Sequence, residues 1–487
     1  MDSKAILAQA RELTSHLVAT NLKRVPPERR VRLLEDAGSR IAQSHADLST
    51  VYASAPQPLE SEARDALALA CELSLACAWS YRIAASDTTG ARPSQPEDSL
   101  PLGPLFFQAM RHLGMIMDAS YKAYARLPAG TWTAMHEVYL FAEREGVAFG
   151  AADRATRLSV HDLYAEYLLL SLANPYRLVP GEYDRVQSLV RELRAPITVG
   201  REHPQTRSTC HFVVPGDKDQ PPHPRRESAP GKRSSAARVL DTSPVVDALK
   251  HMPVAAKRLR ECEERESLAR RLVALWDDPP ARMMRREDAE GSVAICVGVN
   301  PIASFVAHET GVDAEAESQA LRQGLTMPLQ ALPEDESGHL IPIHEWAVIN
   351  VSTSGLKVRR KASTAYPVTV GEIVGVRSPG RAMWKVGVTR WVTGMHDGAT
   401  EFGVQFFAQA VCAVWAKKAS ADNPPRVLAL LVAEGEEHSA ELLLATPGTY
   451  ESGADYELRG EGFRSRVRAG KLVESTSRFE LFEVTPS

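Results

Sequence analysis

The chain has 487 residues, a length that predicts two to four domains. Its formal net charge is −4, and 44% of its residues are hydrophobic. A dedicated nucleic-acid binder usually carries a basic excess, so this near balance argues against nucleic acid as a partner. The six cysteines are scattered without a C-x-x-C pair, which predicts reduced thiols in a cytoplasmic protein.

The N-terminal segment lacks the pattern of a signal peptide, because Asp2 and amphipathic spacing stand where a basic and then apolar stretch would be needed. The most apolar stretch, Ala66–Trp79, is interrupted by Glu72. A buried helix of a bundle explains it better than a membrane-spanning segment, and we expect no membrane span.

Residues 1–195 predict an all-α helical bundle of about seven helices joined by short loops. In the first helix, Ile6, Ala10, Leu13 and Leu17 share one face. Ser159 with Asp162 predicts a capping box at the start of a later helix. The predicted helices after the first are Pro27–Ile41, Ser61–Ala84, Pro104–Ala125, Thr131–Glu145, Val160–Leu172 and Pro180–Leu193, with a loop over Ser86–Pro101.

Residues 196–278 predict a linker with one possible strand and a connector helix. Cys210–Val214 has strand character, and Pro215–Ser235 is rich in proline, glycine and charged residues. Ser243 followed by Pro244 is typical of a helix start, and the helix is expected to continue, whole or broken, to Trp276.

Two short signatures follow in residues 279–415. The first is R-x-x-x-R at Arg282 and Arg286, with Arg285 able to replace either arginine. The second is N-x-S-x-x-G at Asn350, Ser352 and Gly355. Each has a simpler interpretation: a solvated face for the arginines, and a strand end running into a turn for the second signature.

The residue types suit a ligand with phosphates and guanine bases. Guanidinium groups bind phosphate as a planar fork and can also contact the O6/N7 edge of guanine. Asn350 offers a donor and an acceptor, and Ser352 offers a hydroxyl. Gly355 permits a positive φ or a close backbone approach.

The surrounding strands strengthen the pattern. Alternating runs flank the second signature at Ile341–Ile349 and Leu356–Arg359, and others follow at Val368–Arg377, Met383–Trp391 and Glu401–Phe407. Together with the two signatures, this order resembles the PilZ family. The resemblance implies a six-stranded antiparallel β-barrel that binds cyclic di-GMP, with Arg282, Arg285, Arg286, Asn350, Ser352 and Gly355 as ligand-binding residues and no other cofactor.

An insert near residues 300–340 separates the two signatures. About forty residues lie between the strand Gly291–Val299 and Ile341, and Ala314–Leu325 among them has a helical pattern. The insert is expected to cap the ligand pocket or to replace it. Trp384 and Trp391 are expected on opposite faces of the barrel, one in the core and the other available to stack a base or to pack the insert.

Residues 416–487 predict a small C-terminal β unit, a second barrel or a sheet that pairs with the Cys210 strand. Its predicted strands are Arg426–Val432, Ser439–Ala445, Asp455–Leu458 and Leu472–Val484. The fold class is therefore multidomain α+β: a helical bundle, a PilZ-like barrel and a small β unit.

Phosphate-loop, nucleophile-elbow and H-E-x-x-H signatures are missing from the sequence, and the fourteen histidines lack metal-ligand spacing. We therefore expect neither an enzyme nor a metal site. The leading hypothesis is a cytoplasmic cyclic di-GMP receptor that signals to an unknown protein partner by rearranging the barrel against the helical domain. The alternatives are an interaction scaffold with a non-binding barrel, and a hydrolase or transferase site in the helical domain.

Overall fold

The computed structural model describes most of the chain and divides it into two compact units. Unit 1 comprises Met1–Ala55 and Leu59–Arg282, and unit 2 comprises Pro56–Pro58 and Met283–Ser487. The described residues are 3–53, 55–90, 100–193, 197–201, 209–224, 234–252, 260–277, 287–310, 343–360, 368–380, 384–408, 411–419, 426–432, 441–460 and 462–487.

Unit 1 begins with helices that share one apolar core. Its buried members include Phe106, Met110, Tyr139 and Tyr164. The helices are α1 (Ser3–Asn21), α2 (Pro27–Tyr52), α3 (Ser61–Gly90), α4 (Leu102–Lys122), α5 (Thr131–Arg144), α6 (Val160–Leu172) and α7 (Glu182–Leu193), with a 3-10 turn at Pro175–Arg177.

The helical prediction is confirmed, and the differences lie at helix ends. Helix α2 continues eleven residues beyond Ile41, because Leu48 and Tyr52 carry its buried face onward. Helix α3 continues to Gly90, past the predicted end at Ala84. The capping box of α6 is present: the Ser159 hydroxyl accepts from the Asp162 amide, and the Asp162 carboxylate accepts from the Ser159 amide.

For the stretch that follows the bundle, the sequence predicts one strand and a connector helix. The described part of this stretch contains more: four short strands and two helices. Four short strands form a sheet in the order β1-β4-β2-β3. Phe212 and Leu240 from this sheet and Trp276 from α9 lie in the same core as the bundle helices. The elements are β1 (Thr198–Gly200), β2 (His211–Val214), β3 (His223–Pro224), β4 (Arg238–Asp241), α8 (Ser243–Lys250) and α9 (Arg260–Trp276).

Unit 2 contains the expected six-stranded antiparallel barrel. The strand order is β7-β6-β9-β10-β11-β8, and the pairing of β7 with β8 closes the barrel. The short strand β5 pairs with the last part of β7, on the same edge as β6. The strands are β5 (Glu287–Asp288), β6 (Ser292–Val297), β7 (His344–Ser352), β8 (Gly355–Arg360), β9 (Ile373–Arg377), β10 (Lys385–Gly394) and β11 (Thr400–Ala408).

Helix α10 (Val299–Thr310) occupies the start of the predicted insert. It packs against β6 and β9 of the first barrel and against β12 and β13 that follow it. Ile302 and Phe305 are buried in a core shared with Trp384 and with Leu430 of the next barrel. The predicted helical run Ala314–Leu325 lies outside the described residues.

The C-terminal β unit is a second closed barrel, in the order β12-β13-β14-β17-β16-β15. Its first strand starts at Val411, before the expected boundary at 416. The prediction of one strand over Leu472–Val484 is wrong, because a turn at Thr476 separates two antiparallel strands. The strands are β12 (Val411–Lys418), β13 (Val427–Val432), β14 (Glu441–Ala445), β15 (Asp455–Gly460), β16 (Phe463–Ser475) and β17 (Glu480–Pro486). The predicted fold class, helices followed by β-barrels, is confirmed.

Candidate functional site

The N-x-S-x-x-G signature forms the tip of the β7–β8 hairpin. Asn350 and Ser352 lie at the end of β7, Gly355 begins β8, and Thr353 and Ser354 make the two-residue turn between the strands. Ser352 pairs directly with Gly355, and its hydroxyl donates to the Gly355 carbonyl at 3.3 Å. Side chains alternate along a strand, so Asn350 and Ser352 lie on the same face of β7.

That face is the outside of the barrel. Leu356 and Val358, which alternate with Gly355 and Lys357 along β8, are buried inside. A bulge at Ile349 in β7 changes the alternation so that Asn350 is paired with Lys357. The signature therefore presents an amide and a hydroxyl on the barrel surface at one end of the sheet.

Gly355 is needed for close packing of the backbone. A Cβ at this position would lie 2.5 Å from the carbonyl oxygen of Val404 on the adjacent strand β11. Gly355 does not have a positive φ, so the close approach of the backbone is the reason for a glycine at this position. The glycine lets β8 reach β11 at the signature itself.

The arginine signature, with Arg282, Arg285 and Arg286, lies outside the described residues. Strand β5 begins with Glu287, the residue bonded to Arg286. Glu287 pairs with Val351, and Asp288 pairs with Asn350. The chain that leaves the arginine signature therefore runs directly beside the N-x-S-x-x-G signature, although more than sixty positions separate Arg286 from Asn350 in the sequence.

The arginine segment, residues 278–286, begins directly after Asp277 of unit 1 and ends directly before β5. The Asp277 carboxylate accepts from Lys250 at 2.8 Å, from Thr209 at 2.8 Å and from the Cys210 thiol at 3.3 Å. The hydrogen bonds, that of Lys250 first, lower the pKa of Asp277 to about 2. The backbone is thus anchored immediately before the segment and again at β5 after it.

Charged side chains continue the outer face beyond Asn350. On β8, Lys357 contacts the buried Glu401 carboxylate at 2.7 Å, and Arg359 contacts the same carboxylate at 3.4 Å. Arg359 also contacts Asp397 at 2.5 Å. The backbone amide of Ala399, followed by the Arg359 guanidinium, lowers the pKa of Asp397 below its ordinary value. These contacts hold two cations in defined positions next to the signature.

One tryptophan lies in a core and the other is partly exposed, as the sequence predicts. The prediction that they face opposite sides is wrong, because the bulge at Arg390 puts Trp391 on the face of Val388, which shares a core with Trp384. Trp384 is 2% exposed and packs against Phe305 of α10, with ring centroids 5.5 Å apart. Trp391 is only partly buried and pairs with Gly403 on the outer face. A bulge at Arg390 separates Trp391 from the preceding inward-facing residue, Thr389.

Comparisons with known proteins match two domains of the chain to described families. Residues 3–203 match a family described as the N-terminal domain of the cyclic-di-GMP receptor FimW. Residues 211–323 and 307–411 match the family described as the middle PilZ domain of that receptor. The chain contains a PilZ domain. Its PilZ domain carries the signature hairpin, and its N-terminal region belongs to the matching helical family.

A curated relative covers almost the whole chain. The cyclic-di-GMP receptor FimW of Pseudomonas aeruginosa is 22% identical over 535 aligned residues, which cover 97% of this chain and 87% of the relative. The similarity therefore extends over the helical region, the PilZ domain and the second barrel.

The described residues contain no group of three or more His, Cys, Asp or Glu side chains that could hold a metal ion. One described helix, α3, is long and apolar enough to cross a membrane, but 56% of its most apolar window is buried inside the bundle. The family descriptions name a receptor and no enzyme.

Buried polar groups in the helical unit form structural contacts. The Asp118 carboxylate accepts from the hydroxyls of Tyr183 at 2.7 Å and Tyr167 at 3.1 Å, and from the Gln187 amide at 3.3 Å. Burial raises the pKa of Asp118. These partners link α4, α6 and α7.

The sequence analysis did not include Lys357, Glu401 and Gly403 among the site residues. Their strands were predicted, but their side-by-side placement depends on register, which a single sequence does not reveal. The W-x-V-G-V-x-R-W run gave one usable signal, because it marks Trp391 as an aromatic side chain on a barrel strand.

Proposed function

We propose that this protein is a cytoplasmic receptor for cyclic di-GMP, with the dinucleotide bound at the β7–β8 hairpin and the arginine segment. The observation that carries the proposal is the pairing of β5 with β7. It sets the residue that follows Arg286 beside Val351, within the N-x-S-x-x-G signature. The name of the curated relative, a cyclic-di-GMP receptor, supports the same ligand.

The chemistry of the residues fits the ligand. Arg282 and Arg286, with Arg285 as a substitute for either, bind phosphate and the guanine edge through bidentate guanidinium contacts. Asn350 bonds a base edge, and the Ser352 hydroxyl supplies a further hydrogen bond. Gly355 keeps β8 against β11, so that the hairpin tip has a fixed position.

Signalling follows from the two anchors of the arginine segment. Asp277 holds one end within unit 1, and β5 holds the other end on the barrel of unit 2. A ligand that binds the segment and the hairpin together favours one arrangement of the helical domain and the barrel over others. That arrangement is recognised by a protein partner, and the protein itself performs no catalysis.

The test is titration calorimetry of cyclic di-GMP with the wild type and with an Arg282→Ala/Arg286→Ala variant. Each lost charge-assisted contact contributes about 1.5–3 kcal/mol. A single arginine variant should therefore bind roughly 10- to 150-fold more weakly. The double variant should lose measurable binding. Asn350→Ala should weaken binding to a smaller extent, because it removes neutral hydrogen bonds.

A matched control removes the same charge elsewhere. Arg464→Ala/Arg466→Ala changes two exposed arginines on β16 of the second barrel and should bind like the wild type. Equal affinity of the wild type and the Arg282/Arg286 variant would contradict the proposed site. A folded wild type that does not bind would favour the scaffold hypothesis.

A further inference from the structure

An arginine in the bulge of β10 connects the PilZ domain to the second barrel. The two terminal nitrogens of Arg390 lie 2.7 Å and 3.0 Å from the two carboxylate oxygens of Glu474 on β16. Its Nε donates to Oε1 of Gln405 on β11 at 2.7 Å. A bidentate pair of a guanidinium and a carboxylate is a strong and directional contact. One side chain therefore joins two strands of the PilZ domain to a strand of the second barrel.

The bulge leaves Arg390 free to make these contacts. The ladder between β10 and β11 passes over Arg390, because Thr389 and Trp391 pair with consecutive residues of β11. The side chains of Arg390 and Glu474 are 34% and 26% exposed. A simple ion pair with this exposure contributes little to stability. Here three hydrogen bonds fix the orientation of the guanidinium, so its main effect is on geometry.

The part of β11 that contains Gln405 also holds the signature hairpin. Gln405 pairs with Gly355 at the start of β8. The Phe406 amide donates to the carbonyl of Ser354 in the hairpin turn at 3.0 Å. The carbonyl oxygen of Val404 is the atom that a Cβ at Gly355 would approach to 2.5 Å. Three consecutive residues of β11 therefore set the position of the hairpin tip.

A second ion pair between the two barrels involves other strands. Arg478, in the turn between β16 and β17, lies 3.6 Å from the carboxylate of Glu372, the residue directly before β9. The Glu372 carboxylate also accepts from the hydroxyl of Thr369 at 3.0 Å. This pair joins the same two barrels, but its printed contacts are near β9 and not on β11. It therefore offers a direct comparison with the contact of Arg390.

We propose that Glu474 and Arg390 are positioning residues for the cyclic di-GMP site, so that the second barrel supports the site without contacting the ligand. Glu474 orients the guanidinium of Arg390, Arg390 holds Gln405, and β11 then keeps the signature hairpin in the geometry that binds the dinucleotide. The inference rests on the function proposed above. Because coupling between two sites is reciprocal, bound cyclic di-GMP should strengthen the contact of Arg390 with Glu474 by the same factor.

The first measurement uses the whole protein without ligand. Hydrogen exchange of the peptide that contains Phe406, followed by mass spectrometry, reports on the opening of its hydrogen bond to Ser354. Glu474→Ala and Arg390→Ala should each speed this exchange roughly three- to tenfold. The double variant should behave like either single variant, because both residues act through one chain of contacts. Unchanged exchange in both single variants would refute the inference.

Titration calorimetry then measures cyclic di-GMP binding by the same proteins. Glu474→Ala and Arg390→Ala should each weaken binding roughly three- to tenfold. Glu474→Arg should weaken it further, because two cations then face each other. The charge-reversed pair Arg390→Glu/Glu474→Arg should recover part of that affinity. Such a recovery distinguishes a specific contact from damage to the second barrel, and no recovery would count against the inference.

Arg478→Ala is the matched control. It removes an arginine of the second barrel from the other ion pair with the PilZ domain. Both the exchange of Phe406 and the affinity for cyclic di-GMP should stay at the wild-type value. Equal effects of Arg478→Ala and Glu474→Ala would refute the inference, because they would show a general loosening of the two barrels. Thermal unfolding of each variant confirms that the protein is folded.

The two proposals fail in different ways. If the wild type binds, and Glu474→Ala and Arg390→Ala keep both its affinity and its exchange at Phe406, the positioning role is refuted and the receptor function stands. If the folded wild type does not bind at all, the receptor function is refuted. The ligand site that Glu474 and Arg390 would position is then refuted with it, whatever the exchange at Phe406.

Discussion

At the scale of single residues, the site depends on two glycines, because a Cβ at either position would clash with a neighbouring strand. Gly355 and Gly403 both lie on the outer face of the barrel, and both are covered closely by atoms of neighbouring strands. At Gly355 the neighbour is a backbone carbonyl of β11, which cannot rotate away. At Gly403 it is the Trp391 ring, which can. The first glycine sets the position of a strand, and the second sets the position of a ring.

Gly355→Ala should therefore destabilise the PilZ domain. The new Cβ would stand 2.5 Å from the Val404 carbonyl oxygen, so β8 and β11 must separate locally. We expect a loss of about 1–3 kcal/mol, comparable to overpacking of a core, in chemical unfolding of the barrel. Cyclic di-GMP affinity should fall as well, since the hairpin tip moves.

Gly38→Ala is the control for that variant. Gly38 lies within α2, and an added Cβ there has no neighbour within 4 Å. Replacement of a helical glycine by alanine should stabilise unit 1 by up to about 1 kcal/mol. Equal effects of the two substitutions on the barrel would contradict the close approach at Gly355.

At the scale of elements, two bulges and one helix cap position chemically important groups. The bulges at Ile349 and Arg390 change the alternation of β7 and β10, which brings Asn350 and Trp391 to the outer face. In unit 1, helix α5 starts after Gly130, which provides no capping side chain. The carboxylate of Asp219 caps it instead, accepting from the amides of Gly130, Trp132 and Thr133.

Asp219→Ala should destabilise the helical unit by about 1–2 kcal/mol, because three amides at a helix N-terminus lose a charged acceptor. Thermal unfolding followed by far-UV circular dichroism measures the effect. Asp217→Ala removes a neighbouring exposed carboxylate and should leave the midpoint unchanged. A similar loss in both variants would show that net charge, and not the cap, stabilises α5.

At the scale of the whole molecule, unit 2 is two barrels with one helix between them. Helix α10 packs on β6 and β9 of the PilZ domain and on β12 and β13 of the second barrel. Phe305 and Ile302 belong to a core with residues from both barrels. The second barrel has its own interior as well, around Tyr456 and Phe482. The two barrels are therefore expected to unfold together.

Phe305→Ala tests this coupling. Removing a ring that is 3% exposed should cost about 3–5 kcal/mol and should lower the stability of both barrels in one transition. Hydrogen exchange of the backbone amides in β10 and in β14 during chemical unfolding reports on the first and the second barrel separately. His308→Ala, exposed on the same helix, should have little effect. Unfolding of one barrel with the other unchanged would contradict the coupling.

Local patterns in the sequence were sufficient for the fold class. Helical periodicity predicted the bundle, and strand alternation predicted most strands. Ser159 with Asp162 predicted the start of α6. These features depend on contacts between residues that are near one another in the chain, so a single sequence reveals them. The N-x-S-x-x-G signature is local too, and the structure shows it as a hairpin tip.

Features that depend on strand register appear only in the tertiary structure. Glu287 pairs with Val351, Lys357 pairs with Gly403, and Gly403 pairs with Trp391, although these residues are distant in the chain. A shift of one residue would turn every side chain to the other face, and the bulges at Ile349 and Arg390 are such local shifts. The sequence by itself therefore determined the family, the elements and the signature residues. The tertiary structure decided which further side chains stand beside them, because register is set by packing across strands and not along them.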